Sequence, residues 1–313
     1  MNPADITSYH VHHGDCIPYM ATLPSASVDL AVYSPPFPSV YSYTSLPEDI
    51  GNSENVEREA RIHFSFFFRQ LVRVMKPGRV MVLHCTQIIR MKRSGESGAF
   101  DFRGMLIRLA RRAGFIYEYD WTVRKNPQAQ AIRTKSRALQ FAGLESDRAN
   151  SRGAMPDYLI KFRVPGENAD PINALGQVTR NQWIDWAECN WTGISETDTL
   201  NTKEAKSEGD TVHICPLQLG VIERLIRLYS DPGELVLSPF AGIGSEGYVA
   251  VKLGRRFLGC EIKPEYHETA LRNLSRAVTA DSNQPSLFGD EAWEPNTPAL
   301  VVDDPLLFPV PLD

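Results

Sequence analysis

No stretch of the chain comes near the roughly twenty consecutive apolar residues that a membrane-spanning helix needs, so no membrane span is expected. Met1 to His13 is polar and lacks a basic segment followed by an apolar one, so no secretory signal is expected. Cysteine is scarce: five residues, Cys16, Cys85, Cys189, Cys215 and Cys260, lie far apart with no C-x-x-C pair. That argues against a zinc ribbon and a disulfide framework, predicts no metal site, and points to a reducing compartment. Neither Gly (21) nor Pro (22) is in excess, which sets aside collagen and low-complexity architectures. No internal repeat is present. What remains is an ordinary globular composition, 42% hydrophobic and 23% charged over 313 residues. That length suits one large α/β domain with an insert, or two ordinary domains.

The formal charge of −5 hides an asymmetry. Residues 281–313 hold seven acids and no Lys or Arg, whereas Arg90 to Arg163 holds sixteen bases against seven acids. An acidic total therefore does not exclude a polyanionic partner, although a solvated basic face reads equally well from charge alone.

Along the chain, Tyr9–His13, Val28–Tyr33, Arg79–His84 and Phe115–Val123 have the apolar, β-branched character of strands. Ile17–Leu23 reads as a helical turn, and Asn55 to Met75 as a helix stopped by Lys76-Pro77-Gly78. Phe102–Ala113 reads as an Arg-rich helix. This alternation suggests βαβ units around a parallel sheet. From Asn126 to about Asp210 periodicity fades, with one clear strand at 158–164. The pattern then resumes with a helix at 217–229, a strand at 234–237, a helix at 245–253, a strand at 257–261 and a helix from Pro264 to about Val278. The fold class expected is α/β. Residues 9–125 and 211–278 together form the main domain, 126–210 a loop-rich insert, and 279–313 an acidic, Pro-rich tail. Trp183, Trp186 and Trp191 are expected to build a small core in the insert.

Two turns carry the chemistry. Leu235 to Leu237 leads into Ser238-Pro239-Phe240-Ala241-Gly242-Ile243-Gly244 and then a helix. Glycines there let a backbone approach a ligand where a Cβ would clash, and the helix start offers free N–H groups. Glu261 ends the next strand, where an acid can accept hydrogen bonds from ribose hydroxyls. The order points to an adenosine-type cofactor; a tight βα turn with a surface Glu is the plainer alternative. Gly247 falls one position early for a dinucleotide fingerprint, and no G-K-[ST] follows, which excludes a P-loop. The second turn, Ser34-Pro35-Pro36-Phe37, follows strand Val28–Tyr33. Its prolines remove two N–H donors, leaving a hydroxyl, a bare carbonyl and an aromatic ring at a strand's C-terminal edge. Together these suit a planar base bearing an amino group; an extended proline turn with a core Phe is the alternative.

The two turns together resemble the S-adenosylmethionine-dependent DNA amino-methyltransferases, which methylate cytosine N4 or adenine N6. The order matches the permuted β group, with [DNS]-P-P-[YF] before the target-recognition region and F-x-G-x-G last. Further segments fit: His13-Gly14-Asp15-Cys16 resembles the family's G-D-[CS] turn, Val74 to Gly78 its L-K-P-G-G helix end, and His213-Ile214-Cys215-Pro216-Leu217-Gln218, before a helix with Glu223-Arg224-Leu225-Ile226, its K-P-x-x-L-x-x-R-x-I segment. The resemblance covers about residues 9–125 and 155–278. Two departures touch the methionine end of the cofactor: Ser238 stands where an acid is usual, and Cys215 where a lysine is usual.

The resemblance implies a Rossmann-like methyltransferase sheet with a target-recognition insert. It implies Ser34, Pro35, Pro36 and Phe37 as catalytic, with Ser34 and the Pro35 carbonyl holding the amino group and Phe37 stacked on a flipped base. It implies Asp15, Cys215, Pro216, Ser238, Phe240, Gly242, Gly244 and Glu261 as contacts of S-adenosyl-L-methionine. Arg124, Lys125, Arg133, Lys135, Arg137, Arg148 and Arg152, in the region matching the recognition segment, are expected on double-stranded DNA. Ser34 inclines the reading towards cytosine N4, with adenine N6 left open. Methylation of RNA or protein, or a regulator with an inactive site, are the competing readings. Implied as well are a bacterial or phage-encoded cytoplasmic enzyme and a homodimer. In the tail, Gln284-Pro285-Ser286-Leu287-Phe288 resembles the peptide by which bacterial DNA enzymes dock on the sliding clamp, through Gln284, Leu287 and Phe288. A tail folded back on its own domain is the alternative.

Overall fold

The structure, a computed structural model, describes residues 2–38, 42–53, 56–90, 98–134, 141–150, 152–173, 176–201 and 216–279. They form one compact unit within residues 1–280; the tail from Asp281 onward, with its docking-like peptide, lies outside the described residues. In chain order the elements are β1 (Tyr9–His13), α1 (Cys16–Thr22), β2 (Val28–Tyr33), α2 (Arg61–Val74), β3 (Met75–Cys85), β4 (Ile88–Arg90) and β5 (Gly98–Phe100). There follow α3 (Phe102–Ala113), β6 (Ile116–Val123), α4 (Pro127–Thr134), α5 (Phe141–Glu145), β7 (Asp157–Arg163), α6 (Arg180–Trp186) and β8 (Asn190–Trp191). The last five are α7 (Leu219–Tyr229), β9 (Leu235–Ser238), α8 (Ser245–Lys252), β10 (Arg256–Glu261) and α9 (Pro264–Thr279).

Eight strands make one sheet in the order β1-β10-β9-β2-β3-β7-β6-β8, and β4 pairs with β5 apart from it. The first five neighbours, β1 to β3, run parallel. Strand β7 runs antiparallel to both β3 and β6. The chain leaves β2 towards β3 on one side and leaves β9 towards β10 on the other, so the β9/β2 pair is the topological switch point. In open α/β sheets ligands sit outside the strand C-termini there. Alternation along the strands feeds two cores. Ala31, Tyr33, Met81 and Leu83 join Met20 of α1, Phe64, Phe67 and Phe68 of α2 and Leu106 of α3 in one cluster. Helices α7, α8 and α9 pack in series with one another, and α7 also lies against β2 and β3.

Three expectations change. The strand expected in the insert at 158–164 is β7, which lies inside the main sheet between β3 and β6. Its neighbours are distant in sequence, so nothing local announces the pairing. The helix expected over 55–75 is a π-helical turn, Val56–Ala60, followed by α2, and Met75 already belongs to β3. Lys76-Pro77-Gly78 is therefore an irregular start of a strand, where the β2/β3 register shifts. Gly78 has φ +73, and a Cβ there would lie 2.4 Å from the Asn168 backbone nitrogen. Of the three tryptophans, Trp186 and Trp191 are buried but Trp183 is 63% exposed. The buried pair packs on the main sheet: Trp191 meets Trp121 of β6 at 5.2 Å, and Arg224 of α7 lies over both rings.

Candidate active site

The turns singled out in the sequence meet at the switch point. Leu30 and Ala31 of β2 pair with Val236 and Leu237 of β9, so Ser34 to Phe37 and Ser238 to Gly244 leave adjacent strands at the same edge. Glu261 ends β10 beside them and is buried. Its Oε2 accepts from the Gly242 backbone N–H and its Oε1 from that of Lys263, both at 2.8 Å. Burial pushes this carboxyl up to about 7, against the pull of those N–H donors. The Gly14 N–H donates to the Glu261 carbonyl at 2.9 Å, which brings the turn after β1 to the same place. Asp15 caps α1 by accepting from Ile17 N–H at 2.9 Å, and burial raises its carboxyl from the ordinary value.

The two glycines differ in what they permit. Gly244 (φ +86) packs on α9, where a Cβ would lie 3.2 Å from Ala270. Gly242 (φ +53) faces nothing within 4 Å, so space stands open over that backbone. Ser238 Oγ and Ser245 Oγ, on either side of that turn in the chain, and Gln218 Oε1 at the start of α7 are buried without a hydrogen-bond partner. Buried polar groups ordinarily have partners, so these three suit a polar ligand. Glu246, buried in the first turn of α8, is pushed up to about 8 by that burial. Gly247 serves packing, because a Cβ there would lie 2.5 Å from the Phe257 ring; this accounts for its place outside the dinucleotide pattern.

Phe240 is half-buried against Phe67 (5.0 Å between centroids) and Tyr33 (5.9 Å). Phe37, also half-buried, packs against Phe102 at 5.5 Å. Ser34 Oγ is 2.8 Å from His84 Nδ1 at the end of β3. Pro216 is half-buried before α7, and Cys215 lies outside the described residues.

The expected DNA contacts divide. Arg124, Arg148 and Arg152 are exposed or half-buried, and Arg124 lines a cleft of about 330 Å³ with Asn126, Thr192 and Glu196. Arg133 belongs to α4, with its side chain outside the described residues, as are Lys135 and Arg137 altogether. Lys125 is a correction: its side chain is 4% exposed and its Nζ lies 2.6 Å from Asp157 Oδ2, so its charge is engaged inside the protein. The sequence reading missed His84, Asp157, Gln218 and Ser245. Two of them carried a local signal: Ser245 by its place at the start of α8 after the glycine turn, and Gln218 by its place in the Cys215-Pro216 segment before α7.

An open doubly wound sheet whose switch point holds a glycine turn, a strand-end carboxylate and a proline turn defines an α/β protein built to take an adenosine-type cofactor. The chain belongs to the DNA methylase family, whose pattern matches residues 28–272. It is similar to the type II methyltransferase M1.MboII of Moraxella bovis, 48% identical over 113 residues, which are 34% of this chain and 44% of that protein. The matched part thus spans under half of that curated relative. In fold it resembles TTHA0409 of Thermus thermophilus, solved with S-adenosyl-L-methionine, at a TM-score of 0.64 and 23% identity over 88% of this chain and 98% of that one. It also resembles the cytosine-N4-specific PvuII DNA methyltransferase, at a TM-score of 0.60 and 18% identity over 88% and 94%. Among the described residues no helix is long and apolar enough to cross a membrane, and no cluster of His, Cys, Asp and Glu suits a metal.

Proposed function

We propose that the protein methylates an exocyclic amino group, cytosine N4 or adenine N6, of a base flipped out of double-stranded DNA. The observation that carries this is the juxtaposition at one switch point of open space over Gly242, the Glu261 carboxylate and the Ser34-Pro35-Pro36-Phe37 turn. S-Adenosyl-L-methionine supplies an activated methyl group when bound. Glu261 would accept from its ribose hydroxyls, Gly242 and Gly244 would give its backbone room, and Asp15, Pro216, Ser238 and Phe240 would line it, with Cys215 continuing that wall. Ser34 and the Pro35 carbonyl would hold the amino hydrogens as the nitrogen pyramidalises, stabilising the transition state more than the ground state. Phe37 would stack on the base, fixed by Pro36. The exposed Arg124 and Arg148 and the half-buried Arg152 would contact DNA, joined by Arg133, Lys135 and Arg137. Residues 126–210 would read the target and the rest up to 278 would do the chemistry, although β7 belongs to the shared sheet.

Incubation with methyl-labelled cofactor and a panel of duplex DNA, RNA and protein tests the reading. Label in duplex DNA alone supports it; label only in RNA or protein, or none, refutes it. Assembly as a homodimer and docking of the Gln284, Leu287 and Phe288 peptide on a sliding clamp are further proposals that rest on the sequence. Clamp binding that survives deletion of residues 281–313 would refute the second.

A further inference from the structure

The strand ends carry a second arrangement. Ser34 Oγ lies 2.8 Å from His84 Nδ1. His84 Nε2 lies 3.0 Å from Asp157 Oδ2 at the start of β7, and Lys125 Nζ after β6 lies 2.6 Å from that same oxygen. Four side chains from four strand ends thus stand in single file, with His84 14% and Asp157 13% exposed. A hydroxyl beside a ring nitrogen can donate or accept, and Asp157 decides which. Burial alone would raise its carboxyl, but His84 and Lys125 outweigh that and hold it at about 2. A carboxylate oxygen 3.0 Å from Nε2 is placed to accept a hydrogen there, which leaves Nδ1 as the acceptor facing Ser34. The Ser34 hydroxyl then donates to Nδ1 and keeps its lone pairs for another donor.

Resting on the reading of function above, we propose that His84 is a positioning residue for methyl transfer, taking through Ser34 the proton that the methylated amino nitrogen must lose. The balance is simple. The nitrogen lone pair forms the new N–C bond and the C–S pair stays on sulfur, which leaves the nitrogen with four bonds and a positive charge. One N–H proton passes to Ser34 Oγ while the Ser34 proton passes to His84 Nδ1. The product amine is neutral, the serine is restored, and the positive charge rests on an imidazolium facing Asp157. Water then removes that proton. A lone hydroxyl is a weak proton acceptor; an adjacent imidazole makes it an effective one. Among the described residues, the ionisable groups near His84 and Asp157 include Cys85 of β3, Tyr158 of β7, the Arg103–Asp120 pair joining α3 to β6, and Asp101 before α3.

The test uses the full chain and two readouts. Long-range ¹H–¹⁵N spectra of histidine-labelled protein, with His84 assigned from His84→Gln, should show the Nε2–H tautomer, and Ser34→Ala should move the Nδ1 signal. An Nδ1–H tautomer overturns the relay. Single-turnover methylation is the second readout. His84→Gln still accepts from Ser34 but takes no proton; it should slow the step by roughly 100-fold or more, with cofactor affinity within a few-fold. Added to Ser34→Ala it should cost nothing further. An unchanged rate in His84→Gln, or additive losses, overturns the relay. Should His84→Gln not fold, Asp157→Asn should release the tautomer and lower the rate, and an unchanged tautomer there overturns the relay. No methylation of DNA by the parent removes the function and the relay together, whereas methylation with the wrong tautomer removes the relay alone.

Discussion

Glu261 is the residue on which cofactor binding should titrate. Its carboxyl is pushed up to about 7, so near neutral pH a sizeable fraction is protonated. Hydroxyl donors of a ribose bind the ionised form better, so binding lowers that value. Affinity for S-adenosyl-L-methionine should be flat above pH 7 and weaken as pH falls below it, by up to about tenfold per unit. Calorimetry across that range should show the slope in the parent and a flat, weaker profile in Glu261→Gln. Lys125 gives a second prediction. Asp157 sits at about 2 against an ordinary 3.8, so its contribution to stability is present above pH 4 and is lost as pH falls through 2. That contribution is about 2 kcal/mol. Lys125→Met should destabilise the fold at pH 7 by roughly 3 kcal/mol in urea, because it strands a buried charge, and the deficit should shrink as Asp157 is protonated. A variant as stable as the parent but weaker on DNA would restore Lys125 to the phosphate contacts. Glu261 and Gly242 were legible because one strand–turn–helix–strand run fixes both. The contact of Ser34 with His84 was not, since it joins residues fifty positions apart across a sheet whose order the sequence does not state.

At the scale of elements, the site depends on a lock at the opposite end of the strands. Arg79 of β3 is fully buried, bonds the Asp29 backbone carbonyl of β2 at 3.1 Å, and pairs with the Asp29 side chain at 3.3 Å and with Glu234. Asp29 Oδ2 in turn accepts from the Leu235 N–H of β9 at 2.8 Å, and its Oδ1 meets Lys76 Nζ at 2.7 Å. The three strands flanking the switch point are thus held in register by one buried ionic cluster. Arg79→Met leaves two carboxylates without it, at a cost of about 3–5 kcal/mol. Urea unfolding should show that loss, while activity per folded molecule at low temperature stays near the parent's. Helix α3 and strand β1 were readable to the residue because capping and apolar spacing are local. The place of β7 was not: its alternation announces a strand, but only its pairing with β3 and β6 puts it in the main sheet. The join of α2 to β3 escaped as well, because Pro77-Gly78 ends helices in most contexts and here bends the start of a strand.

At the scale of the whole molecule, charge separates the basic middle from the acidic tail, and arginines near the sheet edge remain exposed. A chain with one recognition region reads a palindromic site best as a symmetric pair. Light scattering at micromolar concentration should therefore give twice the 35.1 kDa chain mass, and a monomer with and without DNA would count against it. Composition could exclude membrane spans and disulfide scaffolds, and the five motifs in order could name the chemistry. The target base stayed open, because a serine hydroxyl can face the amino group of either base. The central claim, amino methylation of a base in DNA, has one direct test. Duplex DNA treated with the protein and methyl-labelled S-adenosyl-L-methionine is digested to nucleosides and weighed. The account predicts label in N4-methylcytosine or N6-methyladenine and its loss in Ser34→Ala; label in 5-methylcytosine, or no labelled nucleoside at all, would contradict it.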